Sequence, residues 1–227
     1  MKSFNHKYDC ILLDLDGTLV ESRENLFLIY NAFRLYQRFS KLFGFINTVP
    51  VVSTAIKAML KNEPGSGKKN YDVLLDICCR ETAMPKEKIE WELEQYYQKD
   101  FLKWQSLFTA VPGAQKFVQQ AKGQGKRLYI WTNPIWPEFN VKKRLEWAGY
   151  SVDDFAGFTH SQNAMACKPN VSYYVYALQL FDLDPQSCIL IGDSELKDGP
   201  ARLAGIETAI LSQDKLQSWQ DLSKRLL

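Results

Sequence analysis

The sequence predicts an α/β fold, a parallel sheet between layers of helices, interrupted early by a long helical insertion. Three observations carry that prediction. Beyond "VPG" at residues 111–113, apolar runs of strand length alternate with segments of helical period. The stretch "CILLDLDGTLV", residues 10–20, begins as an apolar strand and ends in two aspartates. Between them, from Glu21 to Phe108, there is no strong strand pattern, only helical spacing.

Taken in order, Ile11-Leu12-Leu13 reads as a strand buried on both faces, as parallel sheets require. In the insertion Leu26, Ile29, Phe33 and Tyr36 recur at helical spacing, and so do Val73, Leu74, Ile77 and Cys78. Met84-Pro85 leads into "KEKIEWELEQYYQKDFLKW", a charged helix with Ile89, Leu93, Tyr96 and Tyr97 on one side. "NEPGSGKKN", residues 62–70, is the clearest internal loop, and Lys61, Lys68 and Lys69 around it read as solvated. A helix then carries Ala114, Phe117, Val118 and Ala121, and "RLYIWTN" is a strand. The helix after Pro137 carries Val141, Leu145 and Ala148, with Gly149 ending it. "FAGFTH" holds a short strand, "NVSYYVYALQLF" a helix, "SCILIGD" a strand, "LKDGPARLAG" a helix, and "IETAILS" a last strand.

Composition narrows the function classes. A chain of 227 residues suits one domain with a large insertion, or two small domains. Hydrophobic residues at 46% and charged residues at 24% are ordinary for a soluble globular protein. A net charge of +2 without a long basic stripe argues against nucleic-acid or membrane partners. "MKSFNHKYDC" lacks the apolar core of a signal peptide, and no apolar run reaches membrane length. Cys10, Cys78, Cys79, Cys167 and Cys188 are odd in number and irregularly spaced, so they read as buried thiols in a reducing compartment, and the expected location is cytoplasmic. Nothing in the sequence speaks to oligomeric state.

Asp14 and Asp16 are separated only by Leu15, so a strand would aim both carboxylates to one side. Like charges that close repel unless a cation is near. Gly17 permits a sharp backbone turn, and Thr18 can hydrogen-bond locally. Three more polar groups end predicted strands or follow them: Thr132-Asn133 after "LYIW", Lys168-Pro169 after "AMAC", and Asp193 with Asp198 in "GDSELKD". Each alone is a fair turn or helix approach. Their joint arrival at the carboxyl edge of one sheet, where open α/β sheets bind ligands, marks a site.

These motifs, "DLDGTLV", a lone Thr after a second strand, "KP" before a helix and "GD-x4-D" after a later strand, resemble the haloacid dehalogenase superfamily of phosphotransferases. The helical insertion after the first motif resembles the α-helical cap of the phosphoglycolate phosphatase-like branch. The resemblance implies a Rossmann-like three-layer core over residues 1–20 and 109–227, with a cap over 21–108. It implies that Asp14 is a nucleophile forming an aspartyl-phosphate and also touching Mg²⁺. Asp16 would be the general acid and then the base, with its backbone carbonyl on the metal. Asp193 would complete the direct metal ligands, and Asp198 would fix the metal shell or Lys168. Thr132 would donate to the phosphoryl group, Lys168 would balance charge, and Gly17 and Asn133 join them as substrate-binding positions. A metal held by oxygen ligands would relieve the repulsion between an attacking carboxylate and a phosphate dianion.

The aspartate at position 16 discriminates among reactions, since the superfamily's dehalogenases lack it and its transport ATPases carry Thr there. The expected function is therefore a Mg²⁺-dependent phosphatase of a small phosphorylated metabolite. A phosphosugar phosphomutase and a non-catalytic binding protein of the same fold are the alternatives. "PIWPEF" follows Thr132-Asn133 where many relatives place a basic residue. Phe27, Tyr30, Phe33, Tyr36, Phe39, Phe43 and Phe45 read first as cap core, and otherwise as lining of the substrate pocket. "GSGKK" lacks the spacing of a phosphate-binding loop. His6 and His160 lack ligand spacing, Cys167 reads as a small packed residue, and Ser194 suits either a metal-bound water or a helix start.

Overall fold

A computed structural model describes residues 8–227 of the chain, so His6 lies outside the described residues. β1 (Cys10–Leu13) leads through a turn at Gly17 into the short β2 (Val20–Ser22). The insertion follows as α1 (Glu24–Phe43), α2 (Thr48–Leu60), α3 (Asn70–Thr82) and α4 (Lys86–Gln95). A π-helical turn over Tyr96–Asp100 and a 3-10 segment over Phe101–Leu107 return the chain to β3 (Phe108–Ala110). Then come α5 (Ala114–Gly123), β4 (Arg127–Ile130), α6 (Glu138–Trp147) and β5 (Gly157–Phe158). α7 (Val171–Leu180), β6 (Cys188–Gly192), α8 (Glu195–Asp198), β7 (Glu207–Ile210) and α9 (Lys215–Leu226) complete it.

The sheet has the order β5-β4-β1-β6-β7 and is parallel throughout, with Leu13 level with Ile130 on one side and Ile191 on the other. Every residue of β1 is buried, because the middle strand is covered on both faces. Strand alternation divides its side chains between two cores. Ile11, Leu13, Ile189 and Ile191 join Phe117 of α5, Leu145 of α6 and Trp219 of α9. Cys10, Leu12 and Leu190 join Tyr173, Tyr174 and Ala177 of α7 on the other face. The result is the expected three-layer α/β core, and β1 reaches its carboxyl end where strand order switches direction.

The insertion differs from its expectation in three ways. First, it is entered and left through a two-stranded antiparallel ribbon, β2 with β3, pairing Val20 with Ala110 and Ser22 with Phe108. Strands of three residues carry no readable period, so the region from Glu21 to Phe108 looked free of them. The expected boundaries at residues 20/21 and 108/109 fall within this ribbon. Second, the aromatics do not form one cap core. Phe39 and Phe43 do pack with Val51, Leu75, Ile89 and Leu93, but Phe27 joins the main core beside Phe101 and Phe108. Ile29, Tyr30, Phe33 and Phe45 are exposed. α1 is apolar on more than one face, so its period does not single out the inward side. Third, the loop at 62–70 ends in a buried anchor. Asn70 donates from its side-chain amide to the Pro134 and Ala166 carbonyls at 3.1 and 3.2 Å, and its backbone N–H donates to the Ala164 carbonyl at 2.8 Å.

The expected helix at "LKDGPARLAG" is one α-turn, α8, continued as a 3-10 segment over Gly199–Ala204, since Pro200 has no N–H for the α ladder. Among the described residues no single helix is long and apolar enough to cross a membrane, and only α1 with α2 reaches that apolar length, as a pair bent by 109°. The five cysteines are free thiols.

His160, just past β5, is mostly buried, and its Nδ1 has no hydrogen-bond partner. Burial pushes its pKa down to about 4, outweighing the upward pull of Glu138, whose Oε2 lies 3.9 Å from Nε2. The fold thus holds His160 neutral where the unfolded chain would take up a proton. The stability it contributes is complete above pH 6.5 and is lost as pH falls toward 4, by up to about 3 kcal/mol. Urea unfolding at pH 7 and pH 4.5 should show that slope reduced in His160→Asn relative to wild type.

Candidate active site

The polar residues that end the strands converge at the carboxyl edge of the sheet. Asp14 continues β1, its backbone N–H donating to the Ile191 carbonyl at 2.9 Å, which holds it between β1 and β6. Its carboxylate accepts from the Lys168 ammonium at 2.7 Å and from the Thr18 hydroxyl at 3.2 Å. Lys168 also donates to Asp198 at 2.6 Å, so one buried cation bridges two buried carboxylates. The second Asp198 oxygen accepts from the Ser194 backbone N–H at 3.1 Å. Burial pushes the Asp14 carboxyl up to about 7, although Lys168 pulls it down. Burial alone would lower Lys168, but Asp14 and Asp198 outweigh it and hold the ammonium well above its ordinary pKa.

Asp193, at the end of β6, completes an acidic group. Oxygens from Asp14, Asp193 and Asp198 all lie within 4.8 Å of one another. Three carboxylates at that spacing form an all-oxygen donor set that suits a hard divalent cation. Gly17, at φ +79°, makes room for it: a Cβ there would fall 2.8 Å from the Asp193 carboxyl carbon and closer still to its oxygen. Gly17→Ala is therefore expected to cost about 1–3 kcal/mol through backbone strain and a displaced Asp193. If the acidic group holds a divalent cation, Gly17→Ala should also shrink the rise in melting temperature that Mg²⁺ then produces, which thermal unfolding with and without the ion reads directly.

Asp16 stands apart from this group. Its carboxylate is half exposed and takes both oxygens to one Arg144 nitrogen, each at 2.6 Å. Arg144 is itself buried, with its guanidinium 6.0 Å from the Trp136 ring and its other terminal nitrogen without a hydrogen-bond partner. The sequence reading missed Arg144, because a charge within a helix usually reads as solvated. A signal was present: it lies three residues after Val141 and four before Ala148, on the buried face of α6.

Part of this set borders a cleft of about 660 Å³ between core and insertion, while Asp14, Thr132, Lys168 and Asp198 lie behind its lining. Asp16, Gly17, Asn133, Arg144 and Asp193 are on its wall with Trp136, Phe27, Lys197 and Lys215. Lys215 comes from the start of α9, its ammonium 3.5 Å from Asp193. The Asn133 side-chain oxygen is buried without a partner. Thr132 is buried beside Asn133, its carbonyl accepting from the Thr159 and Tyr173 hydroxyls at 2.9 and 3.0 Å, which fixes the backbone after β4. Of the seven insertion aromatics, Phe27 reaches this cleft. Ser194 is a helix cap, its hydroxyl accepting from the Lys197 N–H at 3.2 Å. Burial pushes the Cys167 thiol up to about 12, and it donates to the Met59 carbonyl at 3.4 Å, so it is a packed residue.

A family model of haloacid dehalogenase-like hydrolases matches residues 8–205. A search of curated proteins found no match. Among solved structures the chain is similar to a predicted phosphoglycolate phosphatase from Haemophilus somnus, with 21% identity over 91% of this chain and 86% of the other, at a TM-score of 0.52. It is similar to YfnB from Bacillus subtilis bound to magnesium, with 18% identity, 97% and 99% coverage and a TM-score of 0.53. An L-2-haloacid dehalogenase from Xanthobacter autotrophicus, with chloropropionic acid covalently bound, matches at 14% identity, 96% and 83% coverage and a TM-score of 0.52. Phosphatase and dehalogenase thus share the fold equally, and what separates them must be sought in the side chains. With the matched span covering most of the polypeptide and all of its strand-end motifs, the chain belongs to the haloacid dehalogenase-like hydrolases.

Proposed function

We propose that the protein is a divalent-metal-dependent phosphatase that hydrolyses a phosphate monoester through a phosphorylated Asp14. The observation that carries this reading is the division of labour between two aspartates two residues apart. Asp14 is buried against Lys168, whereas Asp16 faces the cleft from Arg144. A nucleophile and a proton carrier need such different surroundings.

Asp14, Asp193 and Asp198 would hold the cation, Mg²⁺ by the hardness of the donors, with the Asp16 backbone carbonyl as a further ligand. When bound, the ion supplies positive charge that lets a carboxylate approach a phosphate dianion. An Asp14 oxygen attacks phosphorus, the bond from phosphorus to the ester oxygen breaks, and Asp16 gives that oxygen its proton. Asp16 then takes a proton from water, whose oxygen attacks the phosphorus of phospho-Asp14, releasing inorganic phosphate and restoring the carboxylate. Lys168 keeps Asp14 in place and offsets charge on the transferring group. The unspent Arg144 nitrogen, the Thr132 hydroxyl and the Asn133 amide nitrogen would supply donors for its oxygens.

An acid at position 16 serves a departing alkoxide, which halide displacement does not need, so Asp16 favours ester hydrolysis over dehalogenation. The test is phosphate release from p-nitrophenyl phosphate with Mg²⁺ and with excess chelator. Release that stops in chelator and returns with Mg²⁺ is expected. Turnover of 2-chloropropionate with none of any phosphate ester would overturn the reading.

A further inference from the structure

The wall of the cleft formed by Ile135 and Trp136 belongs to a second cavity as well. This one, of about 330 Å³, lies inside the helical insertion. Its lining is almost wholly apolar, with Phe39, Ala55, Met59, Ile89 and Leu93 among its walls. The one amide there, Asn31, accepts at its side-chain oxygen from the Tyr96 hydroxyl. Outward, Leu35, Val52 and Ile56 also line a groove of about 430 Å³ on the surface of α1 and α2. The cleft, the hollow cap and the outer groove thus adjoin one another in sequence across shared walls.

Protein interiors are close-packed, and a hole of this size in a small helical bundle forfeits contacts that the bundle needs. Apolar cavities stay dry and accept apolar guests. Among the lining residues only Asn31, Tyr97, Cys78 and Trp136 bring side-chain donors or acceptors to the cap cavity, too few to satisfy a sugar or an amino acid. Charge is concentrated instead at the cleft end, in Asp16, Arg144, Asp193, Lys197 and Lys215. We infer that the cap cavity binds the apolar body of the substrate, which makes the substrate class a phosphate monoester carrying an extended hydrocarbon group. The inference rests on the phosphatase reading for the placement of the head group. It also accounts for "PIWPEF", where apolar Ile135 and Trp136 form the wall that the cleft and the cap cavity share.

The test measures binding of methyl-, butyl- and octylphosphonate to the full chain by calorimetry in Mg²⁺. Affinity should rise about threefold to fourfold per methylene, and so by at least about a thousandfold across the seven methylenes from methyl to octyl. Ala55→Phe, which fills the cavity from α2, should cut the octyl preference below about tenfold and leave methylphosphonate unchanged. Should that variant fail to fold, Val52→Phe fills the same wall from a half-buried position. A series that is flat within about threefold, no binding at any length, or a folded Ala55→Phe that keeps the full preference would each overturn the inference. Phosphate release from p-nitrophenyl phosphate is read separately. Release with a flat series sinks the apolar pocket alone, whereas a steep series with no release from p-nitrophenyl phosphate or from octyl phosphate sinks the catalytic reading and leaves the pocket standing.

Discussion

Asp14→Asn is expected to lower phosphate release by at least about a thousandfold, the scale on which covalent nucleophiles act. The amide keeps the shape of the carboxylate but cannot attack phosphorus. The fold should survive it, because Lys168 retains its 2.6 Å partner in Asp198 and Thr18 can still bond to the amide oxygen. Steady-state turnover and a melting curve on the same preparation check both halves. An Asp14→Asn protein that keeps wild-type turnover would remove Asp14 from the chemistry, and the phospho-aspartate with it.

Lys168→Met should act on stability as well as on rate. The wild-type ammonium lies between Asp14 and Asp198 with almost no exposure, and both carboxylates are buried. Removing it leaves two like charges facing each other in a dry site, a situation that costs roughly 3–5 kcal/mol. Turnover should fall by about two to three orders of magnitude, as when a fixed electrostatic stabiliser is lost. Mg²⁺ should restore a good part of the stability, since it replaces one cation with another, while leaving the rate low. Denaturant unfolding of wild type and variant, each with Mg²⁺ and with chelator, separates these effects. Equal stability of the two proteins in chelator would mean that Asp14 or Asp198 relaxes outward when the ammonium is gone.

The candidate site at the sheet edge was legible because strand ends give polar residues nowhere else to go. Asp14, Lys168, Asp193 and Asp198 each follow a strand or its loop, and the parallel topology gathers them at one edge. The rest depended on facts that a linear pattern does not carry. Spacing from Val141 and Ala148 puts Arg144 on the buried face of α6, but that the face meets Asp16 and the cleft depends on the packing of α6 against β3 and the main core. Lys215 arrives from α9, the last helix, to meet Asp193 across the sheet edge. In α1 the apolar residues surround the helix, so spacing could not say that Phe27 turns to the cleft while Ile29 and Phe33 face solvent. The ribbon of β2 and β3 exists because two short segments 86 positions apart come together, as Ser22 pairs with Phe108.

The buried anchor at Asn70 makes the insertion a part fastened at two places. One fastening is the ribbon; the other is the set of bonds from Asn70 to the carbonyls of Pro134, Ala164 and Ala166, joined by the Tyr71 N–H to the Ser161 carbonyl at 2.8 Å. Pro134 follows Thr132-Asn133 by one residue, and Ala166 precedes Lys168 by two. A swing of the whole insertion on its stem would break these bonds, each worth about 0.5–1.5 kcal/mol. The strain would be felt first in the two loops that carry Asn133 and Lys168. Gate and anvil are bolted to the same plate: a molecule that pushes the insertion aside also pulls on the groups that would grip its phosphate.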